Sequence, residues 1–424
     1  MTEIWHFKCW KRIPPSILLG HILSLPMNLL DGANYHQAKA IHLFSEPIAE
    51  QSKEQSEIEN LRPSLTVYSN WRPVDLHAEY CLHLRSFLSI IERELSGISL
   101  AHSRIISAAG AFILNVIYGY NIEPHGEDPL VRLADLALSQ FSEAIAPGAW
   151  LVDLIPALKY LPDFKWIGGE DQRSFVSTLL QQGEEEEIVK WSAVALYGGG
   201  SDTTVGVLEG FFLAMLLFPD VQHKAQAEMD KVFGKPTFPT AADRETLPYL
   251  NAVVKEALRW HTVSPLGIPH RTDEDDIISG FLIPKDAILL PNIWSFNNDP
   301  SSYSNPREFC PERFLSSPSA LEPGDVTFGF GRRVCPGRLV AETSVFLMIA
   351  HTLAVFDIRK PIRQDGKEVE PMVHFTPGIL SHPVPFEAAF IPRSQEHEQL
   401  IIDFEKAHPV GKGDSNALAD ALVN

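Results

Sequence analysis

Phe328-Gly329-Phe330-Gly331-Arg332-Arg333-Val334-Cys335-Pro336-Gly337-Arg338 is the stretch on which the reading of this chain turns. Its glycines and proline cannot form regular helix, whereas the apolar run from Leu339 to Phe356 that follows can. The stretch therefore reads as a tight loop that delivers one cysteine to the N-terminal end of a long buried helix. A thiolate there gains from the helix dipole and free backbone N–H groups, and from Arg332, Arg333 and Arg338. Such a site suits a soft metal centre. The competing reading is a core cysteine, since free cysteines are among the most buried residue types. The loop alone does not separate the two.

Working outward, 424 residues can bury a large core, and length alone suggests two or three domains. A net charge of -19 argues against general nucleic-acid binding, which wants a basic footprint. Cys9, Cys81, Cys310 and Cys335 lie far apart with no CxxC pair, so neither a zinc site nor a disulfide framework is indicated. Basic residues and Pro14-Pro15 precede a mildly apolar stretch from Ile17 to Leu30, which His21, Ser24, Pro26 and Asn28 interrupt. It falls short of the roughly 20 apolar residues that a span needs. Residues 1–30 are therefore expected to be an N-terminal segment without a transmembrane span.

Helical periodicity takes over from Val74, with Tyr80, Leu84, Phe87, Leu88 and Ile91 on one face, then Ala108 to Tyr118 and Leu130 to Ile145. The longest helical pattern runs from Glu184 to Leu217, long enough to cross a domain at about 1.5 Å per residue. Its acidic start, Glu184-Glu185-Glu186-Glu187, suits the positive end of a helix. Its middle, Gly198-Gly199-Gly200-Ser201-Asp202-Thr203-Thr204, is costly. Each interior glycine loses about 0.5–1 kcal/mol relative to alanine, and Asp and Thr compete for backbone hydrogen bonds. The pattern resumes in register through Phe211, Phe212 and Met215, so a groove in one continuous helix is expected rather than a break into two. Helices follow over Val221–Phe233 and Leu247–His261, the latter carrying Glu256 and Arg259 on one face at (i, i+3) spacing. Their flanks are apolar nearly all round, so this pair is expected to be buried and to need further partners. Hairpin strands are expected over Ile277–Ile278, Phe281–Ile283 and Ala287–Leu290. A proline-rich meander ends at Pro311-Glu312-Arg313-Phe314, Pro371 to Phe390 reads as strand and turn, and residues 393–424 read as a largely disordered polar tail.

These residues carry a resemblance. Phe328, Gly331, Arg333, Cys335 and Gly337 match the Phe-x-x-Gly-x-Arg-x-Cys-x-Gly haem loop of cytochrome P450. Glu256 and Arg259 match that family's Glu-x-x-Arg helix, Gly199 to Thr204 its oxygen-activating groove, and Pro311 to Phe314 its meander signature. All four stand in the family's order, over a resemblance that runs from Pro14 to Phe390. The wording is most similar to the fungal secondary-metabolism branch, the O-methylsterigmatocystin oxidoreductase-like proteins. The resemblance implies a mainly α fold with a small β region, in one domain over residues 31–392, built on a long central helix with the cysteine loop proximal to haem. It also implies a haem-thiolate monooxygenase that inserts one oxygen atom from O2 into a hydrophobic small molecule. Haem b is the implied cofactor, with electrons from NADPH through a reductase flavoprotein. Cys335 would ligate iron, Arg333 and Arg271 would contact propionates, and Gly199 and Gly200 would leave room for dioxygen. Asp202 and Thr203 would relay protons on the distal face, Phe328 and Phe330 would shield the thiolate, and Glu256, Arg259 and Arg313 would form a structural triad.

The chain also departs from the family pattern. Only Ser64 to Asn70 stands between Arg62-Pro63 and Trp71-Arg72-Pro73, where the family has a loop and a helix with a Trp-x-x-x-Arg propionate contact. About a dozen residues separate Leu161-Pro162 from Ser174-Phe175-Val176, where the family places a loop and a long helix roofing the pocket. The expectation is a shortened member lacking part of the substrate-pocket roof. Two alternatives stay open: a haem-binding but catalytically impaired protein, and a cofactor-free helical scaffold in which Cys335 is only core. The endoplasmic reticulum surface is the implied compartment, with peripheral membrane contact. The cytoplasm is the alternative where no anchor is present.

Overall fold

The computed structural model describes residues 175–278, 280–315, 321–363 and 365–407, together with 113–115, 117–122, 128, 130 and 131. The helices expected over Tyr80–Ile91 and most of Leu130–Ile145, and both shortened segments, lie outside the described residues.

Helix α1 (Phe175–Gln181) leads into α2 (Glu186–Leu217), the long central helix, unbroken through its glycines. The hydroxyls that threaten it turn back onto their own helix. Ser201 Oγ donates to Tyr197 O at 2.9 Å, Thr203 Oγ1 to Gly199 O at 2.7 Å, and Thr204 Oγ1 to Gly200 O at 3.1 Å. Each is absorbed as a bond to the i−4 carbonyl instead of opening the backbone. Beyond them the helix is apolar and fully buried at Leu208, Phe211, Phe212 and Met215, each such side chain contributing about 1.5–3 kcal/mol over exposure.

Helix α3 (Pro219–Phe233) starts on proline at its first turn and ends on Gly234 at φ 67°, a left-handed cap that glycine adopts without steric cost. A 3₁₀ turn (Ala241–Thr246) with a Thr240–Asp243 capping box precedes α4 (Pro248–Trp260). The sequence reading had no element over that turn. Strand β1 (His270–Arg271) pairs with β4 (Ile288–Leu289), and β2 (Asp276–Ile278) with β3 (Phe281–Ile283), both antiparallel. Two short helices follow, α5 (Ile293–Asn297) and α6 (Gly324–Thr327). The cysteine loop then opens α7 (Arg338–Val355).

Helices α2, α4 and α7 pack on one another and share a core that includes Phe211, Val253, Val254, Phe346, Ile349 and Leu353. Among the described residues two helices, Ile188–Leu217 and Arg338–Val355, are long and apolar enough to cross a membrane, but 72% and 67% of their apolar windows are buried inside the protein. Both are core helices.

Strand β5 (Phe356–Arg359) pairs antiparallel with β6 (Ala389–Pro392), bringing the C-terminal strand beside the end of α7. The side chain of Gln222 extends this pairing: its Nε2 donates to Ile358 O at 2.8 Å and its Oε1 accepts from Ile358 N at 3.0 Å. Part of the polar tail over residues 393–424, expected to be largely disordered, is helical. Helix α8 (Gln395–Ala407) is ordered, with Ile401 buried in the core and Phe404 packed edge-on against Phe238 at 5.1 Å. Its polar composition concealed a one-faced apolar stripe. Residues 408–424 lie outside the described set.

Candidate active site

The cysteine loop is held shape-first. Cys335 N donates to Phe328 O at 2.8 Å and Val334 N to Gly331 O at 3.1 Å, closing the loop on itself. Gly329 at φ 78° and Gly331 at φ 59° supply the left-handed turns that a side chain would resist. Helix α7 begins at once, with Ala341 N donating to Gly337 O at 2.8 Å. Cys335 therefore stands just ahead of the first turn of α7. It is only half-buried, with Val334 and Leu339 on either side 40% and 72% exposed. Apolar side chains left open around a thiol are the opposite of a core cysteine's setting.

Burial raises the Cys335 thiol above its ordinary value, while the Gly337 N–H directed at the sulfur and the Arg338 charge pull it down. Among the described residues no trio of His, Cys, Asp or Glu could hold a bare metal ion. The described residues therefore suit a metal that brings its own remaining ligands, as a porphyrin iron does. A coordinating metal deprotonates a thiol outright, so the raised value is no obstacle. Thiol, directed N–H, exposed apolar flanks and nearby guanidinium groups together fit a haem.

The loop's arginines divide. Arg338 turns inward, its Nε bonded to Glu342 at 2.9 Å, its Nη2 3.5 Å from Asp325, and its guanidinium over the Phe328 ring at 5.5 Å. Gly324 admits it: a Cβ there would lie 2.7 Å from Arg338 Nη2. Phe330 packs its ring edge-on against Phe296 at 6.1 Å. Arg333 is exposed and acts on His270, whose pKa is lowered by burial and by that guanidinium. Arg271, the next residue on β1, faces away and pairs with Asp286 at 3.2 Å, both side chains half-exposed. Successive residues on a strand point to opposite faces, so His270 and Arg271 cannot share one side. The structure sets His270 beside Arg333, while Arg271, expected at a haem propionate, pairs with Asp286.

The Glu256–Arg259 pair is fully buried. Glu256 Oε1 accepts from Arg259 Nη2 at 2.7 Å, Cys310 N at 2.8 Å and Arg313 Nε at 3.2 Å, and its Oε2 from Arg259 Nε at 2.7 Å. Arg259 donates onward to the carbonyls of Asn297, Pro306 and Glu308 at 2.8, 2.9 and 3.1 Å. Its guanidinium lies 5.2 Å from the Tyr303 ring. The triad ties α4 to the meander.

On α2, Gly199 is exposed and a Cβ built there meets nothing within 4 Å, whereas one at Gly200 would meet Ile113 Cδ1 at 2.9 Å. The groove is therefore open at Gly199 and closed at Gly200. Thr203 lies beside it, its hydroxyl returned to Gly199 O. Asp202 is engaged by a residue that sequence reasoning missed: His382 Nε2 lies 3.3 Å from Asp202 Oδ2 and His382 Nδ1 3.0 Å from Glu209 Oε2. The one available signal was Glu209, a carboxylate inside the apolar run Val207-Leu208-Glu209-Gly210-Phe211, which demands a partner once buried.

Comparison with known proteins gives the family. The family model described as Cytochrome P450 matches residues 163–390. The chain is 45% identical over 329 residues to cytochrome P450 monooxygenase claR of Ampulloclitocybe clavipes, covering 69% of this chain and 61% of that protein. It is 40% identical over 350 residues to O-methylsterigmatocystin oxidoreductase of Aspergillus flavus, covering 73% of this chain and 65% of that protein. The chain thus spans less than two thirds of the length of these relatives. A zebra fish cytochrome P450 structure with abiraterone matches with a TM-score of 0.63 and 26% identity, covering 77% of this chain and 80% of that one.

Proposed function

This chain belongs to the cytochrome P450 family, and from that premise we propose that it is a haem-thiolate monooxygenase acting on a hydrophobic small molecule in secondary metabolism or detoxification. The observation that carries the reading is the half-buried thiol of Cys335, held ahead of α7 with the Gly337 N–H directed at its sulfur and apolar neighbours left open. Bound there, haem would supply activation of O2 with electrons from NADPH through a reductase. Cys335 would be the iron ligand, and Arg333, with His270 beside it, would face the carboxylate edge of the cofactor. The glycine loop fixes the sulfur's position before any ligand arrives, and the directed N–H tempers its basicity. Gly199 keeps the α2 wall clear of side chain, and Thr203 and Asp202 beside it are the groups able to hold and pass a proton. Glu256, Arg259 and Arg313 serve structure, holding the meander against α4. The endoplasmic reticulum surface is the compartment proposed by resemblance.

Reduced protein under carbon monoxide tests the reading. A thiolate-type red-shifted Soret band is expected, lost in Cys335→Ser and kept in Cys310→Ser, whose sulfur instead contacts Glu312 at 3.6 Å. No such band in the unaltered chain leaves only a cofactor-free scaffold. A second reading, haem binding with impaired catalysis, is favoured by the matched lengths: the alignment to claR is 329 positions long yet uses 69% of this chain's 424 residues, so the relative carries residues inside the match that this chain lacks. Product formation with a reductase and a panel of hydrophobic substrates separates the two.

A further inference from the structure

We propose that His382 is a positioning residue that clamps the α2 carboxylates Asp202 and Glu209, and so fixes where the Asp202 carboxylate is held; this rests on the monooxygenase reading for its catalytic consequence. The imidazole makes two contacts with carboxylates seven residues apart on one face of α2, at 3.3 Å to Asp202 Oδ2 and 3.0 Å to Glu209 Oε2. Glu209 is almost wholly buried, its side chain 3% exposed, while Asp202 at 23% is partly open to solvent. The clamp therefore anchors an accessible carboxylate to a buried one.

The surrounding chain is built to bring His382 this close. Between the two carboxylates stands Gly206, where a Cβ would lie 3.4 Å from His382 Cε1 and 3.1 Å from Val263. One turn on, a Cβ at Gly210 would lie 2.7 Å from His261 Cβ. These glycines let two chain segments lie directly on the helix. Those segments hold each other: Ser381 N donates to Val263 O at 2.7 Å, and His261 Nε2 lies 2.9 Å from Ser381 O. His382 N donates to Thr376 Oγ1 at 2.9 Å, and Thr376 N to His382 O at 2.7 Å, closing the turn that presents the ring. The imidazole thus has a fixed backbone and two fixed acceptors.

With both partners as carboxylates, each ring nitrogen must donate, which only the imidazolium can do. Burial opposes that charge, but the hydrogen bonds to Asp202 and Glu209 and their negative charges outweigh it and raise the His382 pKa to about 10. Among the described residues the other titratable group facing it is His261, which burial holds neutral, lowered to about 4. The cluster is one cation between two anions. Removing the imidazole leaves both carboxylates without the contact that ties them together.

Two measurements decide the proposal. In NMR of chain labelled at histidine Cε1, with the His382 signal assigned by its loss in His382→Gln, the ring should stay protonated until near pH 10 and titrate earlier in Glu209→Gln. Titration of His382 in the ordinary histidine range overturns the clamp, and this arm needs no turnover. In the second arm, product formed per O2 consumed should fall severalfold in His382→Gln, which leaves the Asp202 carboxylate unclamped, while the carbon monoxide spectrum is kept. His382→Lys, which keeps a charged donor for that carboxylate, should restore part of the loss. Coupling unchanged in Gln, or lost equally in Lys, overturns the role in positioning Asp202. Haem binding without product from the unaltered chain defeats the monooxygenase reading instead, and the NMR arm still decides the clamp.

Discussion

Glu256→Leu should be the most damaging single change on the proximal side. The carboxylate is fully buried and accepts four hydrogen bonds, from Arg259 Nε and Nη2, Cys310 N and Arg313 Nε. Leucine fills similar volume but leaves the Arg259 guanidinium, also fully buried, without its counter-charge. Breaking such a pair costs about 3–5 kcal/mol, a large fraction of the roughly 5–15 kcal/mol that keeps a protein folded. At roughly 2–4 °C per kcal/mol for a large domain, the midpoint of thermal unfolding should fall by roughly 6–20 °C. Urea unfolding followed by far-ultraviolet circular dichroism measures the loss. Glu256→Leu combined with Arg259→Leu should cost less than the two single changes summed, because no uncompensated charge then remains. It should not be neutral, since the carbonyls of Asn297, Pro306 and Glu308 lose their donor. A loss under about 1 kcal/mol for Glu256→Leu, the scale of a solvent-screened surface pair, would refute the reasoning.

Other expectations follow from the same geometry. Gly210→Ala meets His261 at 2.7 Å and should destabilise by about 1–3 kcal/mol, whereas Gly199→Ala enters open space and should stabilise the cofactor-free helix by about 0.5–1 kcal/mol. Melting of the two variants side by side checks both signs. For pH, His382 binds its proton more tightly folded than unfolded, so its contribution is complete below about 6.5 and is lost as pH rises toward about 10. His261 is the reverse, its contribution complete above 6.5 and lost as pH falls toward about 4. Stability measured against pH should therefore decline less on the alkaline side in His382→Gln and less on the acid side in His261→Gln. Thr203→Ala should divert consumed oxygen from product to peroxide while leaving the carbon monoxide spectrum intact; unchanged coupling would remove Thr203 from the proton path.

What could be read from the chain itself was local. A cysteine framed by Gly331, Pro336 and Gly337 must sit in a loop, because those residues refuse helix, and the apolar run behind it must be a helix. Glu256 and Arg259 share a face because helical spacing demands it, and their apolar flanks demand burial. The central helix was legible through its glycines because Phe211 and Met215 kept the period. What only the tertiary structure decided lies in contacts between distant segments. The pleat of a two-residue strand put His270, not Arg271, beside Arg333, and no periodicity exists over so short a run. Helix α8 became ordered because Ile401 found a core that its own polar sequence does not advertise. His382 reached Asp202 and Glu209 from 180 and 173 residues away. A lone histidine between Ser381 and Pro383 has no local pattern that names its partner, because the charge it carries is created by the two carboxylates that folding brings to it.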